Sequence, residues 1–158
     1  MKSTSTAIWL AVIISVLALL DGTLHLALDA VLFRGNFLGP LGPPPGAPAP
    51  AAGGARPGPL VPLPLPLNQM FVLNFVGYLI LVALLWYVIR RFGSPQVWVD
   101  VVFIIYVGLA FLAWVQAGGP NPRGLGYLSK SIEIVLVLVL LTHIWVLVKP
   151  RAASMATS

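Results

Sequence analysis

The chain is 158 residues long, 59% hydrophobic and only 8% charged, where a typical soluble domain carries roughly 25% charged residues. At a mean hydropathy of +0.97, so few charges cannot cover the surface of a soluble fold, and lipid is the solvent for most of the chain. The lack of cysteine excludes disulfides, thiolate metal sites, a cysteine nucleophile and a lipidated cysteine anchor, and the net charge of +5 sits singly or in pairs between apolar runs, as topology signals and headgroup contacts do and nucleic-acid surfaces do not.

Four apolar stretches follow in chain order, at about 7–33, 68–89, 97–116 and 131–148. Roughly 20 helical residues cross the ~30 Å hydrocarbon core, and each stretch is long enough for one crossing. Inside lipid every backbone polar group must be paired within its own segment, and no alternating barrel-type strand is visible, so the spans are helices. The expectation is an all-α fold: a four-helix antiparallel transmembrane bundle forming a single integral membrane domain over residues 1–158. Lys2 precedes the first stretch as it would in a signal peptide. The apolar run is too long for one, however, and ends in no small-x-small cleavage site, so it reads as a retained span.

Residues 39–66, between the first and second spans, hold 11 of the 15 prolines and 6 of the 15 glycines. Proline removes a donor and fixes φ, so neither helix nor sheet is expected there; polyproline II or a flexible tether is. Preformed polyproline II also binds partners at low entropic cost, and this Pro-rich loop is a candidate strap for another membrane subunit. The remaining links are short, at Arg90–Pro95 and around Gly118–Gly124. Lys2, Arg90, Arg91, Lys149 and Arg151 fall on one side of the bilayer and Arg34, Arg56, Arg123 and Lys130 on the other. The paired clusters on the first side place both termini in the cytoplasm of a bacterial inner membrane.

Ionisable groups inside spans are costly and each needs a reason. Asp21, His25 and Asp29 are spaced four apart in the first span and form a slanting stripe. At 100° per residue, His25 and Asp29 share a face with the small residues Ala11, Ser15, Ala18 and Gly22, a face suited to close helix packing. Asn74 and Tyr78 share a face of the second span, and Lys130 and Glu133 open the fourth. With antiparallel neighbours these groups converge towards the outer half of the membrane, as a polar pocket lined by Asp21, His25, Asp29, Asn74, Tyr78, Lys130 and Glu133. Such a pocket could bind a small polar molecule, relay a proton through histidine, or hold a metal on Asp21, His25, Asp29 and Glu133. No HExxH or ExxH motif accompanies that metal set. Alternatively Asp21, His25 and Asp29 pair with Arg34, Lys130 and Arg123 and hold the bundle in register.

His143 reads as a packing or interfacial residue, and Asp100 as a partner of Arg90 or Arg91 or of its own helix N-terminus. Antiparallel spans set His25 and His143 more than ~15 Å apart along the normal, too far to share one haem. No serine stands in a nucleophile-elbow context and no Gly-rich phosphate loop is present, so no catalytic residue and no required cofactor are expected. The tryptophans near span ends read as an aromatic belt.

His25-Leu26, the run Leu73-Asn74-Phe75-Val76-Gly77-Tyr78 and the run Gly126-Tyr127-Leu128-Ser129-Lys130-Ser131-Ile132-Glu133 together resemble small four-span bacterial membrane proteins of unassigned function. The resemblance covers the spans. It implies a four-helix membrane fold, draws attention to His25, Asn74, Lys130 and Glu133, and brings no activity with it. The long Pro-rich loop departs from the pattern and points to a partner particular to this protein. Two functions are therefore expected as rivals. One is a non-catalytic accessory subunit of a larger respiratory or photosynthetic membrane complex; the other is a small-molecule, proton or metal binding or transport protein built on the outer polar pocket.

Overall fold

The computed structural model describes residues 2–33, 65–117, 119 and 124–155. Arg34, Arg56, Arg123 and nearly all of the Pro/Gly-rich loop lie outside the described residues, as do the roles expected of them. Four helices make up the rest: α1 (Lys2–Phe33), α2 (Leu67–Phe92), α3 (Val97–Gln116) and α4 (Leu125–Met155), with no strand among the described residues. All four are long and apolar enough to cross a membrane, as expected of a multi-pass membrane protein.

The helix boundaries follow local chemistry. Pro66, in polyproline II geometry (φ −56°, ψ 143°), precedes α2, where a missing N–H costs nothing. Gly93 ends α2 in the left-handed region (φ 69°), which glycine enters without a Cβ clash, and Arg90 and Arg91 sit in the last turn beside the free carbonyls. α4 begins at Leu125, ahead of the expected Ser131, so that Ser129 and Lys130 are helical residues on the buried face that continues through Glu133, Leu136, Leu140 and His143.

Consecutive helices run antiparallel. Along α1 and α2, His25 meets Phe71, Gly22 meets Phe75, and Ser15 meets Trp86. Along α3 and α4, Asp100 meets His143 and Trp114 meets Tyr127. A four-residue link, 93–96, forces α3 back along α2. α1 is the central helix, packed on α2 and α4; α3 leans on α4 and only lightly touches α2. The core is Ile14, Ala18, Tyr78, Leu85, Phe103, Leu136 and Leu140.

Small residues let α1 approach its neighbours, as lipid-embedded interfaces require. A Cβ on Gly22 would stand 3.0 Å from Phe75 Cδ2 and 3.4 Å from the Phe75 Cα, so α1 and α2 are nearly in backbone contact there. Trp9, Trp98, Trp145, Tyr87 and Tyr127 are exposed near span ends. Trp86 and Trp114 depart from the belt. The Trp86 indole donates to Ser15 Oγ at 3.0 Å, and Trp114 packs on Tyr127, Phe111 and the Lys130 ammonium.

Candidate polar site

The site is built by α1 and α4 in the half of the bundle distal to the chain's N-terminus. On α1 the four-residue spacing stacks Asp21 below His25, and both are buried. The His25 ring lies at 5.8 Å from Phe71 of α2, and its Nδ1 is 2.9 Å from the Asp21 carbonyl oxygen and 3.5 Å from Asp21 Oδ2. A proton on Nδ1 donates to that carbonyl, and this leaves the lone pair on Nε2. Nε2 faces Glu133 Oε1 of α4 at 4.0 Å.

α4 supplies the rest. Ser129 Oγ donates to Asp21 Oδ1 at 2.7 Å, tying α4 to α1. Lys130 donates to Glu133 Oε1, one turn on, and its ammonium also lies 5.7 Å from the ring centres of both Phe111 and Trp114. Asp21, His25 and Glu133 thus each present one potential ligand atom, all within 4.8 Å of one another and all buried. Tyr78 of α2 is fully buried within electrostatic range of Asp21 and Glu133.

Of the seven residues expected to line the pocket, Asp21, His25, Lys130 and Glu133 come into direct contact and Tyr78 packs beside them. Asn74 is one wall of a neighbouring cleft. Asp29 is buried one turn beyond His25 and lies outside the three-residue ligand group, so the expected four-residue metal set contracts to three. The expected pairing of Lys130 with the α1 carboxylates is replaced by its pairing with Glu133 on its own helix, because an i,i+3 partner is closer than one across the interface.

Several polar atoms are buried without a hydrogen-bond partner: Asp21 Oδ2, Glu133 Oε2, the Tyr78 hydroxyl and Asn74 Nδ2. Buried polar groups normally find partners, and each orphan within lipid is costly. Beside them a cleft of about 420 Å³ opens between α2 and α3. His25, Asn74 and Tyr106 form its polar part, and the exposed Leu73, Ile80 and Leu109 frame its mouth. The Tyr106 hydroxyl donates to the Asn74 carbonyl at 3.1 Å, passing directly over Gly77. A second apolar cleft, about 620 Å³, lies between α3 and α4 and reaches Glu133. The polar site therefore reaches an apolar cleft on each side of α3, through His25 on one and Glu133 on the other.

Sequence reasoning missed three contributors. Ser129 and Tyr106 carry no motif; their partners lie 108 and 32 residues away in sequence. The third is a separate buried pair in the opposite half. Asp100 of α3 is bonded to His143 of α4, with Nδ1 at 3.0 Å from Oδ1 and 2.9 Å from Oδ2, and both residues are fully buried. This corrects the pairing expected of Asp100 with Arg90 or Arg91, both of which are exposed. Ten residues of α4 separate Glu133 from His143, about 15 Å at ~1.5 Å per residue, with Leu136 and Leu140 between them on the buried face.

Comparison with family models, with curated proteins and with solved structures finds no match to the chain.

Proposed function

We propose that this protein is a bilayer-embedded binding protein for a small amphipathic molecule that enters from the membrane between α2 and α3. One observation carries the reading: the buried His25, one member of the ionisable cluster, lines an apolar cleft together with Asn74 and Tyr106, and exposed leucine and isoleucine stand at its rim. A closed structural ion-pair network needs no such opening. Ligand sites are typically apolar concavities with a few convergent polar groups, and this cleft has that composition. The chemistry of the polar end follows from the free groups. The Asn74 amide is a buried donor without a hydrogen-bond partner, and His25 offers a nitrogen. A carbonyl or hydroxyl oxygen at the end of an apolar body satisfies both the donor and the cleft.

The test is native mass spectrometry of the whole chain released from gentle detergent. Wild type is expected to carry a bound apolar molecule, and Ala113→Phe, which fills the cleft from α3, is expected to lose it. Identical bound mass in the two proteins would overturn the reading. The rival proposal, an accessory subunit of a larger complex engaged through the loop at 39–66, predicts co-migration with larger subunits in the same preparation.

A further inference from the structure

We propose that Asp21, His25 and Glu133 form a site for a first-row divalent cation such as Zn2+, Mn2+ or Fe2+, with Lys130 as its built-in competitor. The proposal concerns the cluster behind the cleft and stands without any amphipathic ligand.

The arrangement of the three side chains is that of oriented ligands. Each has one polar atom held by a neighbour and a second left free. Asp21 Oδ1 accepts from Ser129 while Oδ2 has no hydrogen-bond partner. His25 Nδ1 is held by the Asp21 carbonyl while Nε2 points at Glu133. Glu133 Oε1 accepts from Lys130 while Oε2 has no hydrogen-bond partner. Fixing the remote atom of a histidine or carboxylate through a carbonyl or hydroxyl is how metal sites orient their ligands and select the histidine tautomer. His25 Nε2 stands 4.0 Å from Glu133 Oε1, the oxygen that Lys130 holds, so an ion bonded to both takes the place of that ammonium. Bonds of roughly 2.0–2.2 Å to nitrogen and oxygen span that gap at a wide angle.

Charge and ligand type narrow the class. With Lys130 moved aside, the two carboxylates carry a formal charge of −2, which a divalent cation neutralises in a medium where uncompensated charge is expensive. One imidazole nitrogen with two carboxylate oxygens suits zinc, manganese or ferrous iron, whereas calcium and magnesium prefer oxygen alone. While bonded to Glu133, the Lys130 ammonium also lies 5.7 Å from the ring centres of Phe111 and Trp114, so a small shift away from the carboxylate keeps those ring contacts. The fully buried Tyr78 hydroxyl, without a hydrogen-bond partner and within range of both carboxylates, is a further polar group the ion would engage directly or through water.

The experiment is equilibrium dialysis of the full chain in detergent against Zn2+ and, separately, Mn2+, read by metal analysis. One ion per chain is expected for wild type. His25→Ala and Glu133→Gln are each expected to weaken binding by at least ~10-fold, the scale seen when metal-site groups are removed. Lys130→Met, which removes the competing ammonium, is expected to tighten binding, and Zn2+ is expected to raise its melting temperature more than that of wild type. Asp29→Asn and the cleft-filling Ala113→Phe are expected to bind as wild type does, which separates this site from the amphipathic ligand. Less than one ion per wild-type chain, or equal binding by wild type, Glu133→Gln and Lys130→Met, would overturn the proposal. Should His25→Ala fail to fold, the opposite responses of the other two variants still decide it.

Discussion

Gly77 shows how much one missing side chain can hold in place. A Cβ there would stand 2.0 Å from the Tyr106 hydroxyl and 2.4 Å from its Cζ, closer than any real contact. Glycine at this position lets the Tyr106 phenol cross α2, reach the Asn74 carbonyl and set its ring edge-on to Tyr78 at 5.4 Å. Gly77→Ala is expected to evict the Tyr106 ring and cost about 1–3 kcal/mol, the range for overpacking a well-filled contact. A double-mutant cycle with Tyr106→Ala in detergent unfolding tests this, because the clash predicts strong non-additivity. Additive effects would place the strain elsewhere. Nothing in the residue string around Gly77 announces this role. Asp21 and His25, by contrast, stand out in any reading of the sequence, because an ionisable group in an apolar run is conspicuous whatever it touches.

At the scale of the element, α3 is held by one end. Its buried residues are Val99, Asp100, Phe103 and Val107, all within its first eleven positions, 97–107. Asp100 is the polar member of that anchor, bonded to His143 on α4. Asp100→Ala is expected to destabilise the protein by about 1–2 kcal/mol, the upper part of the range for interhelical hydrogen bonds in membranes, since it leaves a buried imidazole without its partner. Asp100→Asn keeps an acceptor and is expected to lose less. Thermal unfolding of the two variants in one detergent ranks them, and equal losses would show that the bond carries none of the anchoring. Length and hydropathy make α3 visible in the sequence; its partner does not follow from them. Asp100 has two arginines close by in sequence, and the histidine that engages it is 43 residues away. In the apolar interior a buried imidazole is a better partner than an arginine drawn to the headgroups.

For the whole molecule, the decisive feature is the unequal packing of four helices around α1. α2 and α4 clasp it, while α3 leans on α4 and stands away from α2, opening clefts on both of its sides. Residues 108–116 of α3 have no buried member and stand between the clefts. Segments with few buried contacts open most readily. Hydrogen exchange of the detergent-solubilised chain is therefore expected to be faster over 108–116 than over 97–107, and the reverse order would argue against α3 as the loose wall of the site. Charges also segregate by height. One cluster uses α1 and α4, the other α3 and α4, and the apolar layer of Leu136 and Leu140 keeps them apart.

By itself the sequence determined the helical class, the number of helices long and apolar enough to cross a membrane, and that Asp21, His25, Lys130 and Glu133 lie towards the same end of the bundle. Hydropathy and helical rise depend only on local composition and spacing. The tertiary structure decided who meets whom. It drew Asp21, His25 and Glu133 into one group and left Asp29 outside it, gave Lys130 to its own helix, matched Asp100 with His143, and opened the cleft beside Asn74. Those outcomes depend on which helices are neighbours and how closely their backbones approach. Both are set by small residues and side-chain volume across interfaces, and no single helix carries that information.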